Sequence, residues 1–239
     1  MLELNQFRHS PFCLKVRMFL EAKGLDYQIN EISPVTGQLA IFKLSGQRKL
    51  PVLVDGDIVL SESNRICRYI EDKFEKPNLL PKSPKELIQS LIIEEWADTT
   101  LASRCKKVLI KELTLNSKLR EILSPKQIPK SLNILIEKVP TNIINNISEV
   151  INHNELINLQ RSLEHLSNFF QYNDWIIGNK LSIADIAICS QISILKFPQS
   201  SGEKLSNQGC HGFYDDPNLE SLFAWRDRIE SLIEKKKIN

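Results

Sequence analysis

Glycine is distributed unevenly along this chain of 239 residues, and its distribution limits the folds that the chain can adopt. Gly24, Gly37, Gly46 and Gly56 punctuate the first quarter, whereas no glycine occurs between residues 57 and 177. Glycine commonly ends helices and forms tight turns, so a long stretch without it favours helices. We therefore predict a first domain in which short strands and helices alternate, followed by an all-helical domain.

In residues 1–75 the apolar pattern switches repeatedly between the periods of strands and helices. Strands are predicted near residues 2–7 and 27–32, and helices at 11–23 and 38–44. The run LPVLVDGDIVL at residues 50–60 has two apolar arms around Asp55 and Gly56, which predicts a tight hairpin. A further helix is predicted from residues 61–63 to Lys73. The resulting order is β-α-β-α-β-β-α.

The segment EKPNLLPKSPKE contains three prolines, which break regular structure, and predicts a linker at residues 76–86. The second domain then covers residues 87–239. Ser182 and Asp185 form a capping-box variant ahead of an apolar helix. Helical spacing of three and four residues recurs in two sets: Leu156, Leu159, Leu163, Leu166 and Phe169, then Leu219, Leu222, Trp225, Ile229 and Leu232.

Two segments of the second domain do not fit a helical pattern. Residues 116–154 are polar and rich in asparagine, and residues 199–217 contain three glycines. Long irregular segments in compact domains are usually functional loops or disordered, so we interpret both as insertions or lids.

Composition excludes several classes of function. The 31 basic and 29 acidic residues leave a net charge of +2, which gives no basis for a nucleic-acid or membrane-surface partner. No apolar run approaches the roughly 18–20 residues of a membrane span, so we expect a cytoplasmic protein. The five cysteines are odd in number and widely spread, which favours reduced thiols. The four histidines form no ligand pairs, and no metal is expected.

The run SPFC at residues 10–13 places Ser10 where the first strand gives way to the first helix. The N-terminus of a helix offers free backbone N–H groups and a partial positive charge, so it can stabilise a bound thiolate. The alternative is that Ser10 only caps the helix. The residues of this run leave both interpretations open.

Two further positions carry a pattern of interest. Pro51 enters a strand after Leu50, and a cis bond there would leave the backbone of Leu50 free to pair with a bound peptide. The alternative is a trans proline on an edge strand. Glu62 and Ser63 stand at the start of the next helix, where they could bind the ammonium and carboxylate groups of an amino acid, or where Ser63 could be a simple cap.

These residues, taken together, resemble the glutathione site of cytosolic glutathione transferases, and specifically of the serine-type, tau-like enzymes. The runs SPF, KLPVL and ES occur in the family's order and spacing, and LSIADIA at residues 181–187 resembles its folding motif. The resemblance implies a thioredoxin-like N-terminal domain (α/β) followed by an all-helical C-terminal domain that contributes the electrophile pocket. It also implies structural roles for a cis Pro51, Ser182 and Asp185.

The resemblance also implies a role for each site residue. Ser10 would donate a hydrogen bond to the glutathione thiolate, and Leu50 would pair with the cysteinyl backbone. Glu62 and Ser63 would hold the γ-glutamyl end. The remaining glutathione contacts implied by the family are those of Phe12, of Lys49 at the glycyl carboxylate and, as a weaker expectation, of Arg48.

The expected function is addition of glutathione to small apolar electrophiles, in detoxification or stress metabolism, by a homodimer that needs no cofactor besides glutathione as co-substrate. SPFC also resembles the Cys-Pro-Phe-Cys motif of glutaredoxins, which makes Cys13 a candidate redox residue. The first alternative is therefore a glutathione-dependent thiol reductase or isomerase that acts through Cys13. The second is a non-catalytic interaction protein that keeps the fold. The sequence does not identify the electrophile.

Overall fold

The structure of the chain, a computed structural model, describes residues 1–33, 37–123 and 152–238, with side chains described as far as Glu234. The first domain has the predicted order of strands and helices. Its elements are β1 (Leu2–Gln6), α1 (Pro11–Ala22), β2 (Tyr27–Glu31), α2 (Gln38–Ser45), β3 (Val52–Asp55), β4 (Ile58–Ser61) and α3 (Ser63–Lys73).

The four strands form one mixed sheet in the order β2-β1-β3-β4. β1 and β2 are parallel, which requires the crossover through α1, and the other two pairs are antiparallel. Leu4 and Leu53 are paired across β1 and β3, and both are fully buried in the core. This arrangement confirms the thioredoxin-like fold expected for the N-terminal domain.

The predicted hairpin is present, but its turn lies one residue further along the chain. Asp55 pairs with Ile58, so the two turn residues are Gly56 and Asp57 rather than Asp55 and Gly56. Gly56 has a φ of 61°, a conformation that costs glycine little, and it takes the first turn position.

The described part of the second domain is helical, as predicted. After α4 (Pro84–Trp96), the π-helical turn Ala97–Leu101 leads into α5 (Ala102–Leu115). The elements that follow are α6 (Ser117–Leu123), α7 (His153–Phe170), α8 (Ile183–Ile192), the 3₁₀ turns Gln199–Ser201 and Pro217–Leu219, and α9 (Glu220–Ile238). None of the helices in the described ranges is both long and apolar enough to span a membrane.

Helix α8 lies at the centre of the molecule, because every one of its residues is buried. α1 packs against α8 and α9, and this packing joins the two domains. The predicted apolar spacing was wrong at two helix ends, where Phe170 and Ile233 are buried while Phe169 and Leu232 are exposed. Phe170 follows Leu163 by seven residues, or two helical turns, which returns it to the buried face.

The segment between the domains is shorter in the structure than the proline pattern indicated. Pro84 does not break the chain but begins α4, because the first turn of a helix needs no donor at that position. The peptide bond between Lys76 and Pro77 is cis.

The interpretation of residues 199–217 as a lid was wrong. Leu205, Cys210 and Phe213 are buried, and the segment is tied to the core by hydrogen bonds between the backbones of Cys210 and Leu195 and of Phe197 and Gln208, both of 2.8 Å. It is therefore an integral part of the second domain. Most of the other predicted insertion, residues 116–154, lies outside the described residues.

Candidate active site

The register of the sheet brings three predicted site positions to one edge. Asn5 near the end of β1 pairs with Val52 at the start of β3, and Val52 pairs with Ser61 at the end of β4. The chain segments just beyond these residues contain Ser10, Pro51 and Glu62. These positions, far apart in sequence, therefore share the same edge of the sheet.

Ser10 is the N-cap of α1, with extended backbone angles of φ −77° and ψ 124°. Its hydroxyl oxygen accepts a hydrogen bond from the amide of Cys13 at 3.5 Å, which is at the long limit for such a bond. Because the oxygen acts as acceptor in this contact, the hydroxyl proton can be donated to another group. Ser10 is therefore a helix cap that can also donate a hydrogen bond to an anion at the start of α1.

Cys13 lies one turn into α1 and is fully buried. Burial raises the pKa of its thiol. Hydrogen bonds with the backbone of Phe7 and the side chain of Ser10, together with the charge of Arg17, oppose this rise. A buried thiol that resists ionisation is a poor nucleophile. The structure thus favours a packing role for Cys13. The five cysteines, all within the described ranges, are free and buried.

Two arginines near Ser10 were not predicted from the sequence. Arg17 donates to the side-chain oxygen of Gln6 at 2.6 Å and to the backbone oxygen of Arg8 at 3.1 Å. Burial, together with the charges of Arg8 and Arg17, lowers the pKa of His9 to about 4. His9 is consequently neutral at neutral pH, and the positive field beside Ser10 comes from the two arginines.

The segment before β3 was predicted to carry glutathione contacts. The bond between Leu50 and Pro51 is cis, as the resemblance implied, and Leu50 precedes the paired residues of β3. Lys49 is exposed, and the guanidinium of Arg48 lies 5.7 Å from the centre of the Phe42 ring. Phe12, at the other side of the site, is half-buried in the first turn of α1.

The interpretation of Ser63 as a helix cap is wrong. Glu62 occupies the N-cap position of α3, with a φ of 72°, and no side chain caps this helix. Ser63 is the first helical residue; it is buried, and its hydroxyl lies 3.5 Å from the side-chain oxygen of Asn64. The first backbone N–H groups of a helix have no partner within it, so they are available to an anion. A positive φ at a non-glycine residue is strained and often marks a functional site.

The second domain supplies one wall of the space beside Ser10. The 3₁₀ turn Gln199–Ser201 lies against the loop that carries Ser10, and Arg8 donates to the backbone oxygen of Ser200 at 3.0 Å. The residues that line this narrow crevice are Arg8, His9, Ser10, Leu14, Arg17, Ser193, Phe197, Ser200 and Ser201. A larger cleft of about 580 Å³ adjoins it and shares Arg8, Leu14, Arg17 and Ser200.

Ser182 and Asp185 lie away from this edge and are part of the core. Asp185 is fully buried and accepts hydrogen bonds from the amide and hydroxyl of Ser182 at 2.9 and 2.7 Å, and from the amide of Ile176 at 2.8 Å. Burial raises the pKa of Asp185 to about 6. The predicted capping box at the start of α8 is therefore present.

Within the described ranges, no three His, Cys, Asp or Glu side chains come together in an arrangement that could bind a metal ion.

Comparisons with known proteins bear on this site. The profile of the glutathione S-transferase N-terminal domain family matches residues 4–78. The chain is 25% identical to glutathione S-transferase theta-3 of Mus musculus over 236 residues, which are 96% of this chain and 82% of the relative. Its fold is similar to that of the beta-etherase LigF from Sphingobium sp. strain SYK-6, with a TM-score of 0.66, 20% identity and 98% of each chain covered.

A second solved structure with a similar fold is the theta class glutathione S-transferase from Xanthomonas axonopodis pv. citri with glutathione bound. The TM-score is 0.64 at 18% identity, and the match covers 100% of this chain and 97% of the other. The mouse relative and the Xanthomonas enzyme are both of the theta class. The expected tau-like assignment is therefore not supported.

Proposed function

We propose that the chain is a glutathione S-transferase of the cytosolic family and that it is a serine-type enzyme. In this proposal Ser10 stabilises the thiolate of glutathione, which then adds to a small apolar electrophile. The observation that carries the proposal is the position of the Ser10 hydroxyl at the N-terminus of α1, on the sheet edge that also holds Leu50 and Glu62.

Glutathione would lie along this edge as an added peptide strand. The backbone of Leu50 would pair with the cysteinyl residue, and Lys49, with Arg48 beside it, would meet the glycyl carboxylate. Glu62 would bind the ammonium group of the γ-glutamyl end, while Ser63 and the first N–H groups of α3 would bind its carboxylate. Phe12 would pack beside the cysteinyl group.

The effects available at Ser10 are large enough to ionise the thiol. A thiol with a pKa of about 8.5 is only a few per cent ionised at pH 7, and lowering that pKa by two units takes about 2.7 kcal/mol. A hydrogen bond to a charged acceptor contributes about 1.5–3 kcal/mol, and a helix N-terminus about 0.3–1 kcal/mol. The charges of Arg8 and Arg17 act in the same direction.

The chemical step follows from these contacts. The thiol proton is lost to solvent, and the sulfur forms a bond to the electrophilic carbon. In a substitution, the bond from that carbon to its leaving group breaks, and the electron pair of this bond departs with the leaving group. The electrophile would be held in van der Waals contact by the adjoining cleft of about 580 Å³, where Leu14, Met18 and Ile233 supply apolar surface. We expect the reaction to serve detoxification or stress metabolism in the cytoplasm.

The alternative function as a thiol reductase requires Cys13 to attack a disulfide. Cys13 is fully buried and its pKa is raised, so the structure gives this alternative no support. The other alternative, a non-catalytic interaction protein, does not account for the strained Glu62 or for the absence of a side-chain cap on α3.

Binding and catalysis can be tested in two steps. In a thermal shift assay, glutathione and S-hexylglutathione should each raise the melting temperature of the protein. The rise should be larger for the S-hexyl derivative, because its hexyl chain fills apolar space. A chloronitrobenzene should then yield one thioether and one chloride per glutathione consumed. No thermal shift with either ligand, together with no thioether product, would overturn the proposal in favour of an interaction protein.

We also propose that the enzyme is a homodimer, as the family resemblance implies. Ile88 and Ile92 lie one turn apart on α4 and are 54% and 59% exposed, and Val59 on the edge strand β4 is also exposed. A second copy of the chain would cover such an apolar surface. Analytical ultracentrifugation should show a dimer for the wild type and a monomer for Ile92→Lys, and a monomeric wild type would contradict this proposal.

A further inference from the structure

Lys15 has an environment that the proposed mechanism does not use. Its side chain is fully buried, and its ammonium group donates three hydrogen bonds: to Asn64 Oδ1 at 2.7 Å, to Glu94 Oε1 at 2.7 Å and to Asp98 Oδ2 at 2.5 Å. An ammonium group has three donors, so each of them is used. One side chain of α1 thereby joins α3, α4 and the π-helical turn.

The two carboxylates are themselves held by other groups. Arg68 of α3 donates to Oε2 of Glu94, and Gln191 of α8 donates to Oδ1 of Asp98 at 3.2 Å. We call these six residues the Lys15 cluster: Lys15, Asn64, Arg68, Glu94, Asp98 and Gln191. Burial alone would lower the pKa of Lys15, but its neighbours Cys67, Asp98 and Glu94 raise it above its ordinary value. Lys15 is therefore charged and paired.

Asn64 is the member of the Lys15 cluster that lies next to the proposed γ-glutamyl contacts at the start of α3. It follows Ser63 in the first turn of α3, and it is exposed. Because its Oδ1 accepts from Lys15, its Nδ2, which lies on the opposite side of the Cβ–Cγ bond, points away from Lys15. Among the residues that the structure describes, that nitrogen has no hydrogen-bond partner.

We propose that Lys15 is a positioning residue for the ligand's γ-glutamyl group: it fixes the Asn64 amide and the start of α3 so that their N–H donors face the γ-glutamyl carboxylate. This inference rests on the proposed function. The same lysine lies on α1, five residues after Ser10. Lys15 therefore sets the start of α3, which holds one end of glutathione, relative to the helix that stabilises the thiolate. Glu94 and Asp98 anchor the arrangement in the second domain.

An ordinary ion pair between domains is the competing explanation. Removing one partner of a buried ion pair is strongly destabilising whatever its role, so a loss of stability does not separate the two explanations. Selectivity does. A positioning role affects only ligands that carry a γ-glutamyl group, whereas a structural role affects all ligands alike.

The test uses S-hexylglutathione and S-hexylcysteinylglycine, which lacks the γ-glutamyl residue, with affinities measured by isothermal titration calorimetry. Asn64→Leu and Lys15→Met should each weaken S-hexylglutathione by about tenfold or more, the range of a hydrogen bond to a charged group. Both should leave the affinity for S-hexylcysteinylglycine within about twofold. The double variant should lose little more than either single variant, because one interaction is removed in each case.

Lys23→Met is the matched control. Lys23, the C-cap residue that follows α1, is also buried, and it pairs with Glu71 at 2.7 Å and with the backbone oxygen of Phe74 at 2.6 Å. This variant should lower the melting temperature and leave both affinities unchanged. If Lys15→Met does not fold, Asp98→Asn takes its place, since an amide cannot accept from both Lys15 and Gln191; the same selective loss is expected.

The outcomes separate this inference from the proposed function. If the wild type fails to bind S-hexylglutathione, the proposed function fails. If the wild type binds it but the variants lose affinity for both ligands equally, or for neither, the positioning role of Lys15 is overturned while the proposed function stands.

Discussion

The amide of Cys13 donates to the hydroxyl oxygen of Ser10 across 3.5 Å, while the Cys13 thiol is fully buried behind it. The long distance makes this a weak cap, so little of the stability of α1 depends on the hydroxyl. The hydroxyl proton is not committed to the contact. Ser10 can therefore be altered to test catalysis without a large effect on folding.

We predict that Ser10→Ala lowers kcat/KM for conjugation by about 10- to 100-fold, because it removes one hydrogen bond to a charged thiolate. The free energy of unfolding should fall by about 0.5 kcal/mol, the low end for loss of a cap. Steady-state kinetics and an ultraviolet titration of the bound thiol measure the loss of activity and its cause, and urea denaturation measures the change in stability. Ser10→Thr, which keeps the hydroxyl, is the control. An unchanged thiol pKa in Ser10→Ala would mean that Ser10 is only a cap.

Ser10→Cys should convert the conjugating enzyme into a thiol reductase. The introduced thiol would have a lowered pKa at the N-terminus of α1 and would attack a mixed disulfide of glutathione with another thiol, forming an enzyme–glutathione disulfide and releasing that thiol. Because Cys13 is buried, free glutathione would resolve the enzyme–glutathione disulfide, restoring the thiol and releasing glutathione disulfide. Conjugation should fall, since a thiolate at this position repels the glutathione thiolate.

The background for that experiment is Cys13→Ser, which should have the conjugating activity of the wild type. Reductase activity towards a mixed disulfide should be the same for Ser10→Cys with and without Cys13→Ser. Strong reductase activity in the wild type that Cys13→Ser abolishes would instead favour the thiol-reductase function.

The features that the sequence predicted correctly depend on neighbouring residues. The turn at Gly56, the start of α1 after Ser10 and the capping box of Asp185 each follow from residues within one turn of each other. The interpretation of Ser63 as a cap failed because Glu62, with a φ of 72° at the junction between β4 and α3, takes the N-cap position. No local sequence pattern predicts the positive φ of Glu62.

The features that the sequence did not reveal are contacts between distant residues. Lys15 meets Glu94 and Asp98, 79 and 83 positions away, and Arg8 meets Ser200, 192 positions away. A lysine on α1 has the pattern of a surface residue until the second domain covers it. The same reason explains why residues 199–217 were interpreted as a lid, since their buried residues contact the core only in the folded chain.

Asp185→Ala should destabilise the protein by about 2–4 kcal/mol, which is more than an exposed cap would contribute. The carboxylate accepts three hydrogen bonds, and its removal leaves the buried donors of Ser182 and Ile176 without partners. Urea denaturation measures the change. The affinity for S-hexylglutathione at a temperature where the variant is folded should equal that of the wild type, and a selective loss of turnover at unchanged stability would contradict a purely structural role.

The last prediction concerns Glu230 on α9, whose carboxyl oxygen Oε1 is buried and has no hydrogen-bond partner among the described residues. Burial raises its pKa to about 7 from an ordinary value of 4.5, although Arg226 opposes the rise. The folded protein therefore binds a proton at this group more tightly than the unfolded chain does. The resulting stability is present below about pH 4.5 and is lost as the pH rises towards 7.

Glu230→Gln removes the ionisable group and should make the protein more stable than the wild type at pH 8. A pKa displaced this far corresponds to about 2 kcal/mol after allowance for solvent screening, because the ionised carboxylate of the wild type is buried in the folded state. At pH 5, where the carboxyl of the folded wild type is protonated, the difference should fall below about 1 kcal/mol. Urea denaturation of both proteins at the two pH values measures the change. Glu203→Gln, at an exposed position that does not contribute to the pKa of Glu230, controls for the loss of one negative charge. Equal differences at pH 5 and pH 8 would show that Glu230 ionises as an ordinary surface carboxylate.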